Sequence, residues 1–193
     1  MEIRNATSQD AAGINRIYNW YVQHTAITFD IEDWDLDRRR HWIAQFDAAD
    51  NDSGMGTQIT AQIVAQIVAQ ERKPRKNHQL LVGLAHGQVI GFAYNGAFRS
   101  RAAYSCSTEV TIYLDHEQHG KGYGKQLYTE LFDRIAKTDL HRAYAIIALP
   151  NEGSIKLHEY FGFQHLGMLS EVGSKFGQYH DVAWMEKRLD LKS

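Results

Sequence analysis

The chain has 193 residues, with 21 lysines and arginines against 23 aspartates and glutamates, a formal net charge of −2. That length suits one domain, the charge gives no footprint for nucleic acid or an anionic membrane, and no apolar run approaches the roughly 20 residues of a membrane span. A single cysteine, Cys106, excludes an intrachain disulfide framework and a multi-cysteine zinc site, and MEIRNATSQD at the N-terminus lacks a signal-peptide core, so a reducing cytoplasm is the expected location.

Ile3-Arg4-Asn5-Ala6 reads as a short first strand, and Thr7-x-x-Asp10 as a capping box with Asp in place of Glu. Ala11, Ile14, Ile17, Tyr18 and Tyr21 then recur at helical spacing. Asp35 to Phe46 is a second helix, with Trp42, Ile43 and Phe46 on its apolar side. Residues 50–56 are a loop by composition, and AQIVAQIVAQ at 61–70 stacks Ile63 on Ile67 and Val64 on Val68, which predicts a short surface helix. Leu80–Ala85 and Val89–Tyr94 flank His86-Gly87-Gln88 as a hairpin, and Glu109–Leu114 is a further β-rich run. Gly124–Lys137 is an amphipathic helix, Arg142–Leu149 a buried strand, Asn151–Phe161 a short helix and Gln178–Leu189 a closing strand. The order β-α-α-(insert)-β-β-β-α-β-α-β-β predicts an α/β chain with helices packed on a mixed sheet.

The sequence holds 15 glycines but two prolines. Three of the glycines alternate in Gln118-His119-Gly120-Lys121-Gly122-Tyr123-Gly124-Lys125, between a β-rich run and an amphipathic helix. A helix N-terminus there presents N–H groups and the positive end of its dipole, and glycine lets the backbone close on a phosphate. The P-loop pattern fails, because Gln126 follows Lys125 and position 119 is not glycine; the dinucleotide pattern fails, because the glycines strictly alternate. A glycine-rich turn without a ligand stays open on this segment alone.

The same segment, His119 to Gly124, resembles the pyrophosphate loop (Q/R)-x-x-G-x-(G/A) of the GNAT N-acetyltransferase superfamily. Asn151-x-x-Ser154-x-x-Leu157-His158-x-x-x-Gly162-Phe163 resembles that superfamily's second signature, in the matching order and separation. Ile3-Arg4-x-Ala6-Thr7-x-x-Asp10-Ala11, Ile17-Tyr18-Asn19, Thr108-Glu109-Val110, Leu149-Pro150-Asn151-Glu152 and Val172-Gly173-x-Lys175-Phe176-Gly177 look like the phosphinothricin and methionine sulfoximine/sulfone N-acetyltransferase branch. The resemblance covers nearly the whole chain except roughly residues 50–78, an extra surface segment. It implies one N-acetyltransferase domain over residues 1–193, with a single mixed, mostly antiparallel sheet flanked by helices. Two positions depart from the pattern: His119 stands where the loop carries Gln or Arg, and His158 where many members carry a general-acid tyrosine.

The resemblance also implies roles. The co-substrate is acetyl-CoA, with no metal. It runs along Thr111, Ile112 and Tyr113; the pyrophosphate is held by main-chain N–H groups across His119, Gly120, Lys121, Gly122, Tyr123 and Gly124; Lys121 and Lys125 add charge on the 3′-phosphate side; Asn151 bonds the pantetheine arm; Ser154 is a further cofactor contact, and Tyr160 is a cofactor contact or a core aromatic. Glu109 is the general base for the attacking amine, through water, and His158 the candidate donor to the leaving sulfur. Phe29, Arg99, Ser100, Arg101, Thr108, Glu109, Val110, Lys175 and Tyr179 are the expected contacts of a small amino acid analogue, an arginine fork suiting a carboxylate or phosphinate. A second copy is expected to help complete the site through the late loop, making a homodimer. The reaction implied is direct acetyl transfer to an α-amine in a ternary complex, serving detoxification. Another amine acceptor (a polyamine, an antibiotic or a protein N-terminus) and a non-catalytic CoA-binding regulator are the alternatives. His116-x-x-His119 lacks an accompanying metal-ligand set, and Cys106 lacks a His/Asp setting for nucleophilic work.

Overall fold

The computed structural model describes residues 1–47 and 77–189; the loop expected at 50–56 and the surface helix expected at 61–70 lie outside them. The elements are β1 (Glu2–Asn5), α1 (Ala11–His24), α2 (Leu36–Asp47), β2 (Leu80–Ala85), β3 (Gln88–Ala97), β4 (Ser107–Leu114), α3 (Tyr123–Ile135), β5 (Arg142–Ala148), α4 (Glu152–Tyr160), β6 (Gln164–Lys175) and β7 (Gln178–Arg188). Each start has a local cause. Thr7 N donates to the Asp10 carboxylate at 2.8 Å, and Arg4 grips the same carboxylate through both guanidinium ends, so the capping box forms and launches α1. Positive φ at both His86 and Gly87 makes the tight β2–β3 turn, and Phe176 and Gly177 repeat the device between β6 and β7.

The strands form one seven-stranded sheet in the order β1-β2-β3-β4-β5-β7-β6. All pairs are antiparallel except β4–β5. Adjacent residues of one strand serve opposite cores. Leu81 and Ala93 pack with Leu127, Leu131 and Ile135 of α3, while Val82 and Phe92 pack with Ile14 and Ile17 of α1 and Ile43 of α2. Helices thus cover both faces. Among the described residues no helix is long and apolar enough to cross a membrane.

The parallel pair positions the site. β4 and β5 are joined only at Ser107↔Arg142, Thr108↔Ala143 and Glu109↔Tyr144. Beyond Glu109, β4 runs on to Leu114 beside β3 alone, and β5 runs on to Ala148 beside β7 alone. The two strands splay and leave a cleft with their backbones on its walls. The penultimate strand of the expected order, whose bounds the residue pattern leaves open, is β6. It is 12 residues long, lies at the sheet edge and carries exposed Leu166, Met168, Leu169 and Val172.

Candidate active site

The splay encloses a cavity of about 500 Å³. Val110 to Leu114 form one wall and Ala145 to Ala148 the other; His119, Gly120, Gly122 to Lys125, Asn151, Ser154, Leu157 and His158 close it, with Tyr21 and Ile27 entering from the α1 side. Thr111, Ile112, Tyr113, His119, Gly120, Gly122, Tyr123, Gly124, Lys125, Asn151 and Ser154 are thereby brought to one cleft.

The glycine loop leaves its backbone open at the start of α3. Gly120 has φ 74° and Gly122 φ 79°, and a Cβ added at either would meet nothing within 4 Å. Both conditions favour glycine: the backbone is left-handed and the space beside it stays open. Gly122 caps α3, with Gln126 N donating to its carbonyl at 3.3 Å. The N–H groups of the next three residues therefore have no intrahelical acceptor and point out of the positive end of the helix. Gly124 differs, since a Cβ there would already be in van der Waals contact with Leu114 Cδ1 at 3.4 Å and Leu157 Cδ2 at 3.5 Å, leaving little room for a larger side chain. The lysines also part ways. Lys125 reaches the cavity wall with Nζ 3.8 Å from the Tyr160 ring centroid, whereas Lys121 Nζ turns back to Glu117 O and Gln118 Oε1. Tyr160, 64 % exposed, does not line the cavity and is not a core aromatic.

Asn151 Oδ1 accepts from Ser154 N at 3.2 Å and so caps α4; its amide NH₂ is the donor left for a ligand on the cavity wall. Tyr21 was read from the sequence only as a helix core position. It is nonetheless 4 % exposed and lines the cavity, its hydroxyl lying 2.7 Å from Leu114 O and 2.8 Å from His119 Nε2. Burial, with Asp115 adding, pushes its pKa up to about 12, so it remains a neutral donor.

Glu109 is the last β4 residue paired to β5 and marks the point of splay. Its neighbour Val110 belongs to the core under α3, so Glu109 faces the opposite side, with Tyr94, whose strand partner is Thr111. Burial raises the pKa of Tyr94, and the charge of Glu109 adds to that rise. Beside Glu109 lies a platform that sequence reading missed. Phe98 stacks on Tyr144 at 4.2 Å and meets Trp184 edge-on at 6.0 Å, and the Arg99 guanidinium sits 4.5 Å from the Phe98 centroid. Tyr144 is the strand partner of Glu109, so the aromatic bed that carries the Arg99 cation starts next to Glu109 in the sheet. Ser100 and Arg101 are exposed on the segment that follows.

Other expected contacts are redirected. Thr108 is fully buried, donates to Gly96 O at 2.7 Å and accepts from Asn95 Nδ2 at 3.0 Å; its side chain clamps β3 to β4 and is not available to an acceptor. Lys175 is 4 % exposed and donates to Thr28 O at 2.8 Å; burial lowers its pKa while Asp30 opposes the shift. The Phe29 ring occupies the space where a Cβ at Gly173 would lie. Of the expected acceptor contacts only Val110 lines the cavity; Phe29, Arg99, Ser100, Arg101, Thr108, Glu109, Lys175 and Tyr179 of one chain do not, Glu109 standing next to the wall that begins at Val110.

His158 does line it, but as a committed side chain. It is 3 % exposed, Nδ1 lies 2.8 Å from the Ser154 carbonyl and Nε2 lies 3.1 Å from Tyr128 Oη. The carbonyl only accepts, so Nδ1 carries the proton and Nε2 accepts from Tyr128. Burial lowers the ring's pKa, with the Ser154 bond opposing. This is the setting of a neutral packed histidine, with no proton free for a leaving group. A stability test follows. The unfolded ring takes a proton below about pH 6.5 while the folded ring resists, so this group's contribution is intact above 6.5 and is lost as pH falls from there toward the lowered folded value. Denaturant melts between about pH 7 and pH 5 should show a shallower decline in His158→Gln than in the parent. An unchanged slope would contradict the assignment.

Among the described residues no group of three His, Cys, Asp or Glu side chains could hold a metal. His116 stacks on Trp20 at 4.0 Å, and Cys106 is an exposed free thiol.

The comparisons agree with this geometry. The family model described as acetyltransferase (GNAT) domain matches residues 80–184. The phosphinothricin N-acetyltransferase of Streptomyces coelicolor is 36% identical over 98% of this chain and 96% of its own length. The L-methionine sulfoximine/L-methionine sulfone acetyltransferase of Salmonella typhimurium is 30% identical over 98% of this chain and 95% of its own. Among solved structures, a GNAT superfamily phosphinothricin acetyltransferase from Sinorhizobium meliloti in complex with AcCoA superposes with a TM-score of 0.75 at 28% identity, covering 97% of this chain and 88% of that one. The splayed strands, the glycine cradle and these matches together make the chain a member of the GNAT acetyltransferase family.

Proposed function

We propose that this N-acetyltransferase moves acetyl from acetyl-CoA to the α-amine of a small amino acid analogue of the phosphinothricin, methionine sulfoximine or methionine sulfone type. The observation that carries the reading is the splay of β4 from β5 beyond Glu109, which opens a cleft closed at one end by the left-handed, open Gly120 and Gly122 at the start of α3. Acetyl-CoA supplies an activated acetyl thioester. The chain does the rest. N–H groups at 120–125 take the pyrophosphate, the β4 backbone and the Asn151 amide hold the arm, and backbone N–H beyond the splay polarises the thioester oxygen. Glu109 accepts the ammonium proton through water, the free amine attacks the thioester carbon directly with no acyl-enzyme, and the C–S bond then breaks to expel CoA thiolate, which takes up the proton the new amide nitrogen loses, by way of solvent. His158, Ser154 and Tyr128 keep the wall in place. Masking the amine of a toxic analogue is a detoxification step, which we place in the cytoplasm.

The acceptor class is supported by the names of the relatives and by Arg99, which favours an anion over a polyamine. Thiol release should give kcat/KM at least about tenfold higher for methionine sulfone than for spermidine, and Arg99→Ala should remove most of that margin by raising KM. A preference for spermidine would overturn the acceptor class.

The homodimer belongs to the same reading. β6 is an edge strand whose exposed Leu166, Met168, Leu169 and Val172 continue into Phe176 and Tyr179 of the hairpin. Long apolar edges are unstable alone in water, and a second copy is the occupant that also brings the exposed Tyr179 toward a cleft it does not reach within one chain. Sedimentation should give twice the chain mass, and Leu169→Lys should yield a monomer with much weaker acceptor binding. A monomeric parent at micromolar concentration would contradict this.

A further inference from the structure

Tyr21 and His119 form a bond whose direction is fixed by a third atom. Leu114 O, the last carbonyl of β4, lies 2.7 Å from Tyr21 Oη and can only accept. The single phenolic proton is therefore spent on it. Tyr21 Oη then has lone pairs alone for His119 Nε2, 2.8 Å away, so Nε2 must carry a proton. In a neutral imidazole that leaves Nδ1 bare. No hydrogen bond joins Nδ1 to another described residue, and His119 lines the cavity next to Gly120 and Gly122, where the backbone is arranged for an anion. A bare lone pair repels a phosphate oxygen, whereas a protonated Nδ1 donates to it with a full positive charge.

We propose that Tyr21 is a positioning residue that locks the His119 proton on Nε2, so that the cavity binds the diphosphate of acetyl-CoA more tightly when His119 takes a second proton on Nδ1. The proposal rests on acetyl-CoA being the co-substrate, and adds to it a proton-linked affinity.

The surrounding titratable groups do not supply this linkage. From α1, Tyr21 stays neutral, and Arg16 is paired with Asp115. On Asp115 burial acts to raise the pKa, but Arg16, the Glu117 N–H and His116 together bring it below the usual carboxylate range. In the connection after β4, His116 lies 3.5 Å from Asp115 and stacks on Trp20, Glu117 gives its carbonyl to Lys121, and Lys121 is turned away from the cavity. From β4, desolvation drives the pKa of the half-buried Tyr113 well up, and from α3, Lys125 lies over the Tyr160 ring. The sign is clear: an imidazolium that gains an anionic partner has its pKa raised by binding, so the extra affinity is full at low pH and is lost as pH rises through the bound value. The phosphate monoester of acetyl-CoA titrates near pH 6 and works the other way, strengthening binding as it loses its proton.

The test is calorimetric titration of acetyl-CoA at about pH 6, 7 and 8 into the full chain and into His119→Gln, an exposed position where folding is not at risk. The ratio of the two affinities cancels the ligand's own titration. It should fall about fivefold from low to high pH, His119 being the stronger binder only at low pH. Imidazole ¹⁵N spectra of the free protein should show the Nε2–H tautomer for the signal missing in His119→Gln, and a mixture of tautomers in Tyr21→Phe. A ratio that does not change with pH, or a parent locked as Nδ1–H, overturns the proposal. Failure of both proteins to bind acetyl-CoA at any pH would sink the co-substrate reading and this inference with it, a result distinguishable from binding that is merely pH-insensitive.

Discussion

Glu109→Gln is expected to lower turnover by about a hundredfold or more while leaving the acetyl-CoA Kd within about twofold of the parent. The amide keeps the size of the carboxylate but cannot take a proton, and an amine that arrives as ammonium cannot attack until a proton leaves. The position explains the separation of effects. Glu109 is the last residue joined to β5, and its side chain lies on the sheet face opposite Val110 and α3, whereas the proposed pyrophosphate site is at Gly120 and Gly122. Steady-state thiol release with calorimetric binding measures both quantities. Loss of acetyl-CoA binding together with turnover would mean that Glu109 supports the cleft rather than the chemistry. Full turnover in the variant would remove it from the reaction.

Gly122→Val should do the reverse. A β-branched residue at φ 79° is strained, and its side chain fills the open space beside the N–H groups that begin α3. The acetyl-CoA Kd should rise by at least about tenfold, with kcat at saturating acetyl-CoA largely preserved. Gly124→Val provides the contrast. Its side chain would meet Leu114 and Leu157, so it should cost fold stability by about 1–3 kcal/mol through overpacking. If the two variants weaken acetyl-CoA binding equally, the alternate glycines do not have the separate jobs assigned to them.

Features set by neighbours in sequence were legible; features set by distant strands were not. Positive φ at His86 and Gly87, the capping box at Thr7, and the left-handed glycines at 120 and 122 depend on a few consecutive residues, and all were marked by residue type and spacing. The amphipathic α1 and α3 were readable because one face of each meets the sheet. β6 had no clear bounds because QHLGMLSEVGSK lacks a period of two, and its register is interrupted between Leu169 and Gly173. Thr108 looked like a site residue because it precedes Glu109, but a buried hydroxyl must find partners, and these came from β3. His158 sits four residues after Ser154, so a bond to that carbonyl was available from helix geometry; its second partner, Tyr128, was not. The Tyr21–His119 contact spans 98 residues, and the Phe98, Tyr144 and Trp184 platform draws on three strand regions, so no local pattern marks either.

The most direct measurement is release of free CoA thiol by the purified chain from acetyl-CoA, with and without methionine sulfone, alongside mass analysis of the acceptor. Direct transfer predicts thiol release only when the acceptor is present, in one-to-one ratio with acceptor acetylated on its α-amine. No release with methionine sulfone, phosphinothricin or any other amine tested would contradict the acetyltransferase reading, and a burst of thiol before acceptor is added would contradict direct attack.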